Sequence, residues 1–130
     1  MVVSYATRSD QALLYRLSGD RNPLHSDPVF AARAGFDRPI LHGLCTYGFT
    51  GRALLHAIAG SDPSRFASMS GRFSRPVFPG ERLTIKMWHT SATTATFQTQ
   101  TPPAPPSSPT ATSPCRSKPW TGRATQFPSR

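Results

Sequence analysis

Residues 18–25, with the sequence Ser-Gly-Asp-Arg-Asn-Pro-Leu-His, restrict the fold of this chain more than any other segment. Gly19 tolerates a positive φ, and Pro23 fixes its own φ and disfavours the α region for the residue before it. A regular helix is therefore excluded, and the segment predicts a shaped loop that directs Asp20 and His25 toward one point. A carboxylate and a neutral imidazole that share a water are typical of general acid–base chemistry.

Each polar residue of this segment also has a simpler interpretation. Asp20 and Asn22 are common turn residues because their side chains hydrogen-bond to local backbone. A single histidine such as His25 is often a core or surface residue. The combined pattern favours the functional interpretation, because a turn does not need a titratable pair separated by a proline-stiffened spacer.

Two helices are expected after this loop. Asp27 as N-cap and Pro28 at the first helical position predict the start of a short helix that ends at Gly35. A second, long helix is expected to begin between residues 40 and 43 and to end at about Ala59. Three glycines, Gly43, Gly48 and Gly51, interrupt its apolar surface.

These glycines have a structural implication. Each costs a helix interior about 1 kcal/mol relative to alanine. Their presence predicts a helix whose backbone is approached closely by a sheet or by a ligand.

Strands are expected in the second half of the chain. Residues 66–75 predict one strand, and residues 82–88 alternate between apolar and polar side chains, as a half-buried strand does. Residues 93–99 are rich in β-forming residues. A long helix followed by a run of strands predicts the α+β class.

The run from Leu14 to Leu55 resembles the hydratase 2 signature of the MaoC-like family of (R)-specific enoyl-CoA hydratases. The residues that carry it are Gly-Asp-Arg-Asn-Pro-Leu-His and Pro-Ile-Leu-His-Gly-Leu. The likeness continues to about Thr101, and it is greatest to the catalytic half of the hydratase region in peroxisomal multifunctional enzymes of type 2. It implies a hot-dog fold, in which an antiparallel sheet wraps around one long central helix.

The resemblance also implies an activity. The family are hydro-lyases that add water reversibly to trans-2-enoyl-CoA, giving the (3R)-hydroxyacyl-CoA of fatty-acid β-oxidation. No cofactor is implied, because coenzyme A is part of the acyl-CoA substrate. The alternative function is a catalytically inactive hot-dog fragment that binds acyl-CoA or serves in assembly.

Several residues match the functional positions of the family motif. Asp20 and His25 match the catalytic pair, and which of them is base and which is acid stays open, since a coupled pair titrates jointly. Gly43 matches the glycine whose N–H meets the thioester oxygen. The residues expected to contact substrate are Arg21, Asn22, Pro23, Leu24 and Phe73.

A metal site is a weaker alternative. His42 and Cys45 lie three positions apart on the predicted helix, and His25 could join them. A zinc site requires three or four ligands in a recognisable spacing, which the sequence does not provide. No metal is therefore expected, and Cys45 is interpreted as a small core residue.

The chain is basic, with 15 Lys and Arg against 6 Asp and Glu. A positive excess suits a ligand with phosphates, as coenzyme A has, although a solvated basic face explains the same residues equally well. The candidates for steering such a ligand are Arg72, Arg75, Arg82 and Lys86. No nucleic-acid-binding motif and no membrane-spanning segment is apparent, so neither partner is expected.

The composition changes at residue 102. Eight of the 14 prolines lie in residues 102–130, mixed with Ser, Thr and Ala. The expected organisation is a hot-dog domain over residues 1–101 that lacks its last strand, and a disordered Pro/Ser/Thr-rich tail over residues 102–130. The short segment before Thr7 also suggests that the first strand is missing. An incomplete sheet of this kind is expected to associate with a second copy or with a partner hot-dog repeat.

The remaining sequence features concern location. Two cysteines provide no disulfide framework and indicate a reducing compartment. No secretory signal is apparent at the N-terminus, and the last residues are not the Ser-Lys-Leu peroxisomal signal. The resemblance implies a peroxisomal protein if the source is eukaryotic, and a cytoplasmic one otherwise.

Overall fold

The computed structural model describes residues 1–102 and 120–126. The helices are α1 (Gln11–Tyr15), α2 (Pro28–Arg33) and α3 (Gly43–Ala57), with short 3-10 helices at Arg16–Ser18, Pro23–His25 and Pro63–Arg65. The strands are β1 (Val2–Ala6), β2 (Phe66–Arg72), β3 (Arg82–His89), β4 (Thr94–Gln100) and β5 (Trp120–Gln126).

The strands form one sheet in the order β1-β3-β4-β5-β2, and every neighbouring pair is antiparallel. The long helix α3 packs on one face of this sheet. An antiparallel sheet with one long helix confirms the α+β prediction and the hot-dog fold.

The core lies between α3 and the two central strands β3 and β4. Leu83, Ile85 and Met87 of β3 are all fully buried, and their neighbours in the strand are not. Ala53 and Leu54 of α3 meet them from the helix side. Each large apolar side chain buried in this way contributes about 1.5–3 kcal/mol to stability.

Both predicted helices occur close to their expected bounds. The Asp27 carboxylate accepts hydrogen bonds from the N–H groups of Val29 and Phe30, which caps α2 as predicted. Helix α3 begins at Gly43 and ends at Ala57, slightly before the expected end. Gly60 follows with a φ of +65°, a conformation that terminates helices readily.

At two of the three helix glycines, a Cβ would make only ordinary van der Waals contact with a neighbouring side chain, so the predicted close approach is not confirmed. A Cβ at Gly43 would lie 3.5 Å from the Phe73 ring, and one at Gly51 would lie 3.6 Å from the Met69 methyl carbon. Nothing lies within 4 Å of the corresponding position at Gly48, so the prediction is wrong there.

The expectation that the first strand is missing is wrong. β1 pairs with β3 from Val2 opposite Lys86 to Ala6 opposite Arg82. Val3 and Tyr5 pack against the core from this strand. The five residues of β1 suffice to form a strand, because their β-branched and aromatic side chains fit the pleated, half-buried surface beside β3.

The expectation that the sheet lacks its last strand is also wrong. β5 lies between β4 and β2 and pairs with both, with Phe97 and Gly71 both opposite Gly122. Ala124 of this strand is buried in the core. Residues 102–130 are rich in proline on average, but they include eight consecutive residues without proline, 120–127. The backbone N–H groups of β5 are therefore available to pair with neighbouring strands.

The predicted domain boundary changes accordingly. Residues 120–126 belong to the same sheet as residues 1–101. The rest of the predicted disordered tail, residues 103–119 and 127–130, lies outside the described residues. Within the described ranges, no helix combines the length and apolar character needed to cross a bilayer.

Candidate active site

The loop that carries Asp20 has the sharp geometry predicted for it. Gly19 ends the 3-10 helix Arg16–Ser18 with a φ of +108°, a conformation that favours glycine. The Asn22 N–H then donates to Asp20 Oδ1 over 3.1 Å. The Leu24 N–H donates to Asn22 Oδ1 over 3.0 Å, so the Asn22 side chain caps the next turn.

His25 is held in one ring orientation. Its Nδ1 lies 2.8 Å from the carbonyl oxygen of Ile40. Because a carbonyl oxygen can only accept, Nδ1 carries the proton in this contact. In the neutral imidazole, Nε2 is therefore left as an acceptor, which is the form that can take a proton from water.

A second histidine, His42, completes the cluster. Its ring stacks on that of His25 with centroids 3.7 Å apart and an angle of 28° between the planes. Its Nε2 donates to the Asp20 carbonyl oxygen over 3.2 Å. The side chain is only 1% exposed, and this burial lowers the pKa of His42 below its ordinary value, although the bond to Asp20 opposes the shift.

The other ring nitrogen of His42 is unusual. Nδ1 is buried and has no hydrogen-bond partner among the described residues. An unsatisfied buried acceptor costs about 1–3 kcal/mol. Such groups are rare in native structures and call for a specific reason.

The Asp20 carboxylate and the His25 imidazole lie close enough to share one small molecule. One oxygen of the Asp20 carboxylate, one ring nitrogen of His25 and one of His42 all lie within 4.8 Å of one another. Two groups separated by that distance can both hydrogen-bond one water, since each bond spans about 2.8 Å.

Gly43 provides a hydrogen-bond donor beside this cluster. It is the first residue of α3, so its N–H has no partner within the helix, and none is found elsewhere in the described chain. The positive end of the helix dipole lies at the same point. A developing negative charge is stabilised by such a donor.

A cavity of about 800 Å³ adjoins His25 and Gly43. Its volume is within the range of pockets that hold small organic ligands. Apolar side chains from the loops and the sheet form much of its wall, namely Phe36, Ile40, Leu41, Phe73, Val77 and Leu83. Polar wall residues include Thr46, Thr84, Thr99 and Gln100.

The structure brings only part of the predicted site together. Asp20 and His25 are neighbours, and Gly43 and Phe73 line the cavity with His25. The remaining predicted substrate contacts, Arg21, Asn22, Pro23 and Leu24, do not line this cavity. Their role in binding substrate stays a prediction.

Sequence analysis missed two parts of this site. The sequence assigns His42 to the family motif and to a possible metal site but gives it no role beside Asp20 and His25, although it directly precedes Gly43 at the helix start. The sequence identifies Leu83 and Thr99 only as strand residues, although both line the cavity. Alternation identifies the buried face of a strand, but it does not show which part of that face borders a cavity.

The cluster is a poor metal site in this arrangement. His25 Nδ1 and His42 Nε2 are already bonded to the carbonyl oxygens of Ile40 and Asp20, so each ring has only its other nitrogen left to offer a metal, which needs three or four protein ligands. Cys45 lies in a buried apolar cluster with Ala12 and Leu41, where burial raises the pKa of its thiol to about 11, as suits the predicted small core residue.

The four cations proposed for steering a phosphate-bearing ligand differ in position. Arg75 lines the cavity, and the other three do not. Arg72 borders a separate shallow depression on the sheet together with Arg123 and Trp88.

An antiparallel sheet around one long helix, with an acid and an imidazole at the start of that helix, defines a hot-dog protein of the hydratase type. The chain belongs to the MaoC-like family: the family model described as "MaoC like domain" matches residues 2–102.

Comparison with known proteins agrees with this assignment. The chain is 56% identical over 99 residues to "3-hydroxyacyl-thioester dehydratase Y" of Mycobacterium tuberculosis, covering 75% of this chain and 34% of that protein. It is 60% identical over 82 residues to "Enoyl-CoA hydratase 2, peroxisomal" of Arabidopsis thaliana, covering 63% and 26%.

A solved structure provides the same result for the fold. The full-length peroxisomal multifunctional enzyme type 2 from Drosophila melanogaster matches with a TM-score of 0.82 and 40% identity, over 98% of this chain and 22% of that one. The chain thus spans about a third or less of these relatives.

Proposed function

We propose that this chain is an (R)-specific 2-enoyl-CoA hydratase, which interconverts a trans-2-enoyl-CoA and a (3R)-hydroxyacyl-CoA. The observation that carries the proposal is that His25, with Asp20 beside it, lines the same cavity as Gly43, whose N–H has no partner among the described residues. The names of the two curated relatives support a reaction of this class on acyl thioesters.

The acid–imidazole pair activates water in this proposal. A water between Asp20 and His25 donates a hydrogen bond to each, which leaves a lone pair on its oxygen for attack at C3. As the C3–O bond forms, the pair takes one proton from the water, and one proton is returned to C2. Hydrogen and charge balance, and no redox partner is needed.

The Gly43 N–H stabilises the charge that this addition creates. While C3 is attacked, the π electrons of the double bond shift toward the thioester, and negative charge grows on its carbonyl oxygen. A backbone donor at a helix N-terminus suits this oxygen, because donor and dipole act in the same direction. The missing side chain of Gly43 leaves room for the thioester to approach.

The cavity wall matches the two parts of the substrate. The apolar side chains suit an acyl chain. Arg75 lies on the same wall and is the cation best placed to meet the phosphate-bearing end of coenzyme A.

An assay with trans-2-decenoyl-CoA tests the proposal. Hydration removes the conjugated thioester absorbance, and chiral analysis of the product identifies the configuration at C3. We expect turnover to the (3R) product, and a loss on the order of 10²–10⁴ in kcat for Asp20→Asn and for His25→Ala. Asp37→Asn and His56→Ala are matched controls, since both residues are exposed and lie outside the site.

The same assay separates the proposed enzyme from an acyl-CoA-binding module. A folded wild-type chain that binds decenoyl-CoA without converting it would favour the inactive acyl-CoA-binding module. That module is the second candidate because the chain spans only 34% and 26% of the two curated relatives. Turnover that survives both site substitutions would reject the proposed roles of Asp20 and His25.

Two further proposals concern the assembly of the chain and its need for a metal. We propose that a second hot-dog unit, either another copy or a partner repeat, covers the sheet edges at β1 and β2, each of which has one strand neighbour in the described structure. Light scattering after gel filtration tests for a dimer. The reaction requires no metal or cofactor, so treatment with EDTA should leave turnover unchanged.

The location is proposed from the same comparisons. A relative named as peroxisomal supports a peroxisomal protein if the source is eukaryotic. A cytoplasmic location for a bacterial source stays a prediction. Imaging of the tagged full chain in its own host tests this assignment.

A further inference from the structure

His42 connects the three groups of the proposed site. Its main chain is the N-cap of α3, and its carbonyl oxygen accepts from the N–H groups of Cys45 and Thr46 over 3.1 and 3.3 Å. These bonds fix the point at which the helix begins. They therefore fix the position of the next residue, Gly43, whose N–H is the proposed oxyanion donor.

The His42 ring also reaches the loop that carries the acid. Nε2 donates to the carbonyl oxygen of Asp20, 22 residues away in the sequence. Because this nitrogen holds the ring proton, Nδ1 remains a buried acceptor without a partner in the described structure. An apolar side chain would avoid this unpaired acceptor but could not donate to Asp20.

The face of the same ring restricts His25. The stacking contact at 3.7 Å limits tilting of the His25 imidazole, while the bond from its Nδ1 to Ile40 limits rotation within the ring plane. Tyr15 contacts the His42 ring with centroids 4.7 Å apart and limits its movement in turn.

The state of charge of His42 matters for this arrangement. The titratable or charged groups that face its ring are His25, Asp20, Arg16 and Tyr15. Burial favours the neutral imidazole. A neutral ring permits His25 to accept a proton without a second positive charge stacked against it.

We propose that His42 is a positioning residue, whose buried neutral imidazole holds the Asp20 loop, the His25 ring and the Gly43 N–H in one catalytic arrangement. This inference rests on the proposed hydratase function. His42 itself does not line the cavity, so it acts through the three residues that it aligns.

Three substitutions separate the two functions of the ring. His42→Phe keeps an aromatic ring against His25 and removes the donor. His42→Gln keeps an N–H donor and removes the aromatic stack, and His42→Ala removes both. His56→Phe is the matched control on the same helix, because His56 is exposed and bonds only Ser61 within the described chain.

We expect kcat to fall at least tenfold in His42→Phe and further in His42→Ala, while KM changes less than threefold because the cavity wall is intact. His42→Gln should recover part of the loss, and the pH profile of kcat should shift in His42→Phe but not in His56→Phe. A folded His42→Phe with wild-type kcat and pH profile would overturn the inference. Equal losses in the Phe and Gln variants that follow their melting temperatures would also overturn it.

A second measurement does not depend on activity. Nitrogen-15 NMR of the imidazoles should show His42 mainly as the neutral tautomer protonated at Nε2 at pH 6.5, where an ordinary histidine is half charged. A His42 ring that is charged at pH 7 would contradict the inference. If the wild-type chain proves inactive, the proposed function fails, and this spectrum still tests the position of His42.

Discussion

The imidazole of His25 lies on the imidazole of His42 with ring centroids 3.7 Å apart, and the His42 ring donates a hydrogen bond to the Asp20 backbone. A loop and a helix start that are distant in sequence are thereby joined through one buried side chain. The proposed chemistry depends on this connection, because an acid, an imidazole and a backbone N–H must keep their separations during the reaction.

Replacement of Gly43 by alanine should impair catalysis without harming the fold. The added methyl group would lie 3.5 Å from the Phe73 ring, in the space through which the thioester would approach the N–H. We expect kcat/KM for decenoyl-CoA to fall at least tenfold, while the melting temperature is unchanged or higher because alanine favours helix.

Gly48→Ala is the matched control, since the corresponding methyl group would meet nothing within 4 Å. It should raise stability by up to about 1 kcal/mol and leave kcat/KM unchanged. Wild-type activity in Gly43→Ala would contradict the proposed approach of the thioester.

Asn22 should affect activity through the loop that it caps. Asn22→Ala removes the acceptor for the Leu24 N–H and should cost about 1 kcal/mol in the free energy of unfolding, with a lower kcat. Asn22→Asp keeps the acceptor oxygen, so it should retain most of the stability and most of kcat, as measured by chemical denaturation and steady-state kinetics.

Asp62→Ala is the control for this prediction, because Asp62 caps the equivalent 3-10 helix Pro63–Arg65 away from the site. It should leave kcat unchanged. A large increase in KM in a fully stable Asn22→Asp variant would instead indicate that Asn22 contacts substrate directly, as predicted from the sequence.

Much of this fold was predictable from local sequence. The cap at Asp27 and the alternation over Leu83, Ile85 and Met87 are each determined by neighbouring residues, and both occur as expected. β5 was not predictable in this way, because its place between β2 and β4 depends on pairing with residues that are distant in the sequence. Its proline-free run also lies within a proline-rich region.

The residues of the site also differ in whether local sequence predicts them. Asp20 and His25 belong to one short motif, so their proximity follows from the loop that contains them. His42 joins them only through tertiary contact. Its burial, its ring stacking and its unpaired Nδ1 could not be inferred from spacing.

Gly122 provides a test of the strand that the sequence did not reveal. A Cβ at this position would collide with the Ser70 carbonyl oxygen and would lie 2.8 Å from the Gly71 Cα and 2.5 Å from the Phe97 ring. Gly122→Ala should therefore lower the free energy of unfolding by about 1–3 kcal/mol, measured by chemical denaturation.

Thr121→Ala, at an exposed position on the same strand, should change stability by no more than about 0.5 kcal/mol. Equal stability of wild type and Gly122→Ala would show that β5 does not occupy its place against β2.

The burial of His42 should make stability depend on pH in a defined direction. The pKa of His42 is lower in the folded chain than its ordinary value of 6.5, so the unfolded chain binds more protons between those two values. Stability from this group is therefore complete above about pH 6.5 and decreases as the pH falls toward the folded value.

Chemical denaturation of wild type and His42→Phe at pH 5.0, 6.0 and 7.5 measures this contribution. The difference between their free energies of unfolding should shift in favour of His42→Phe as the pH decreases. A difference that is constant with pH, as we expect between wild type and His56→Phe, would contradict it.

The most direct test of a water shared by Asp20 and His25 is a double-mutant cycle on hydration of trans-2-decenoyl-CoA, using Asp20→Asn, His25→Ala and the double variant. Groups that act on one water should be strongly non-additive, so we expect the double variant to lose no more than about tenfold beyond the weaker single variant. Losses in kcat that multiply across the two substitutions would mean that the residues act independently, and would contradict the account.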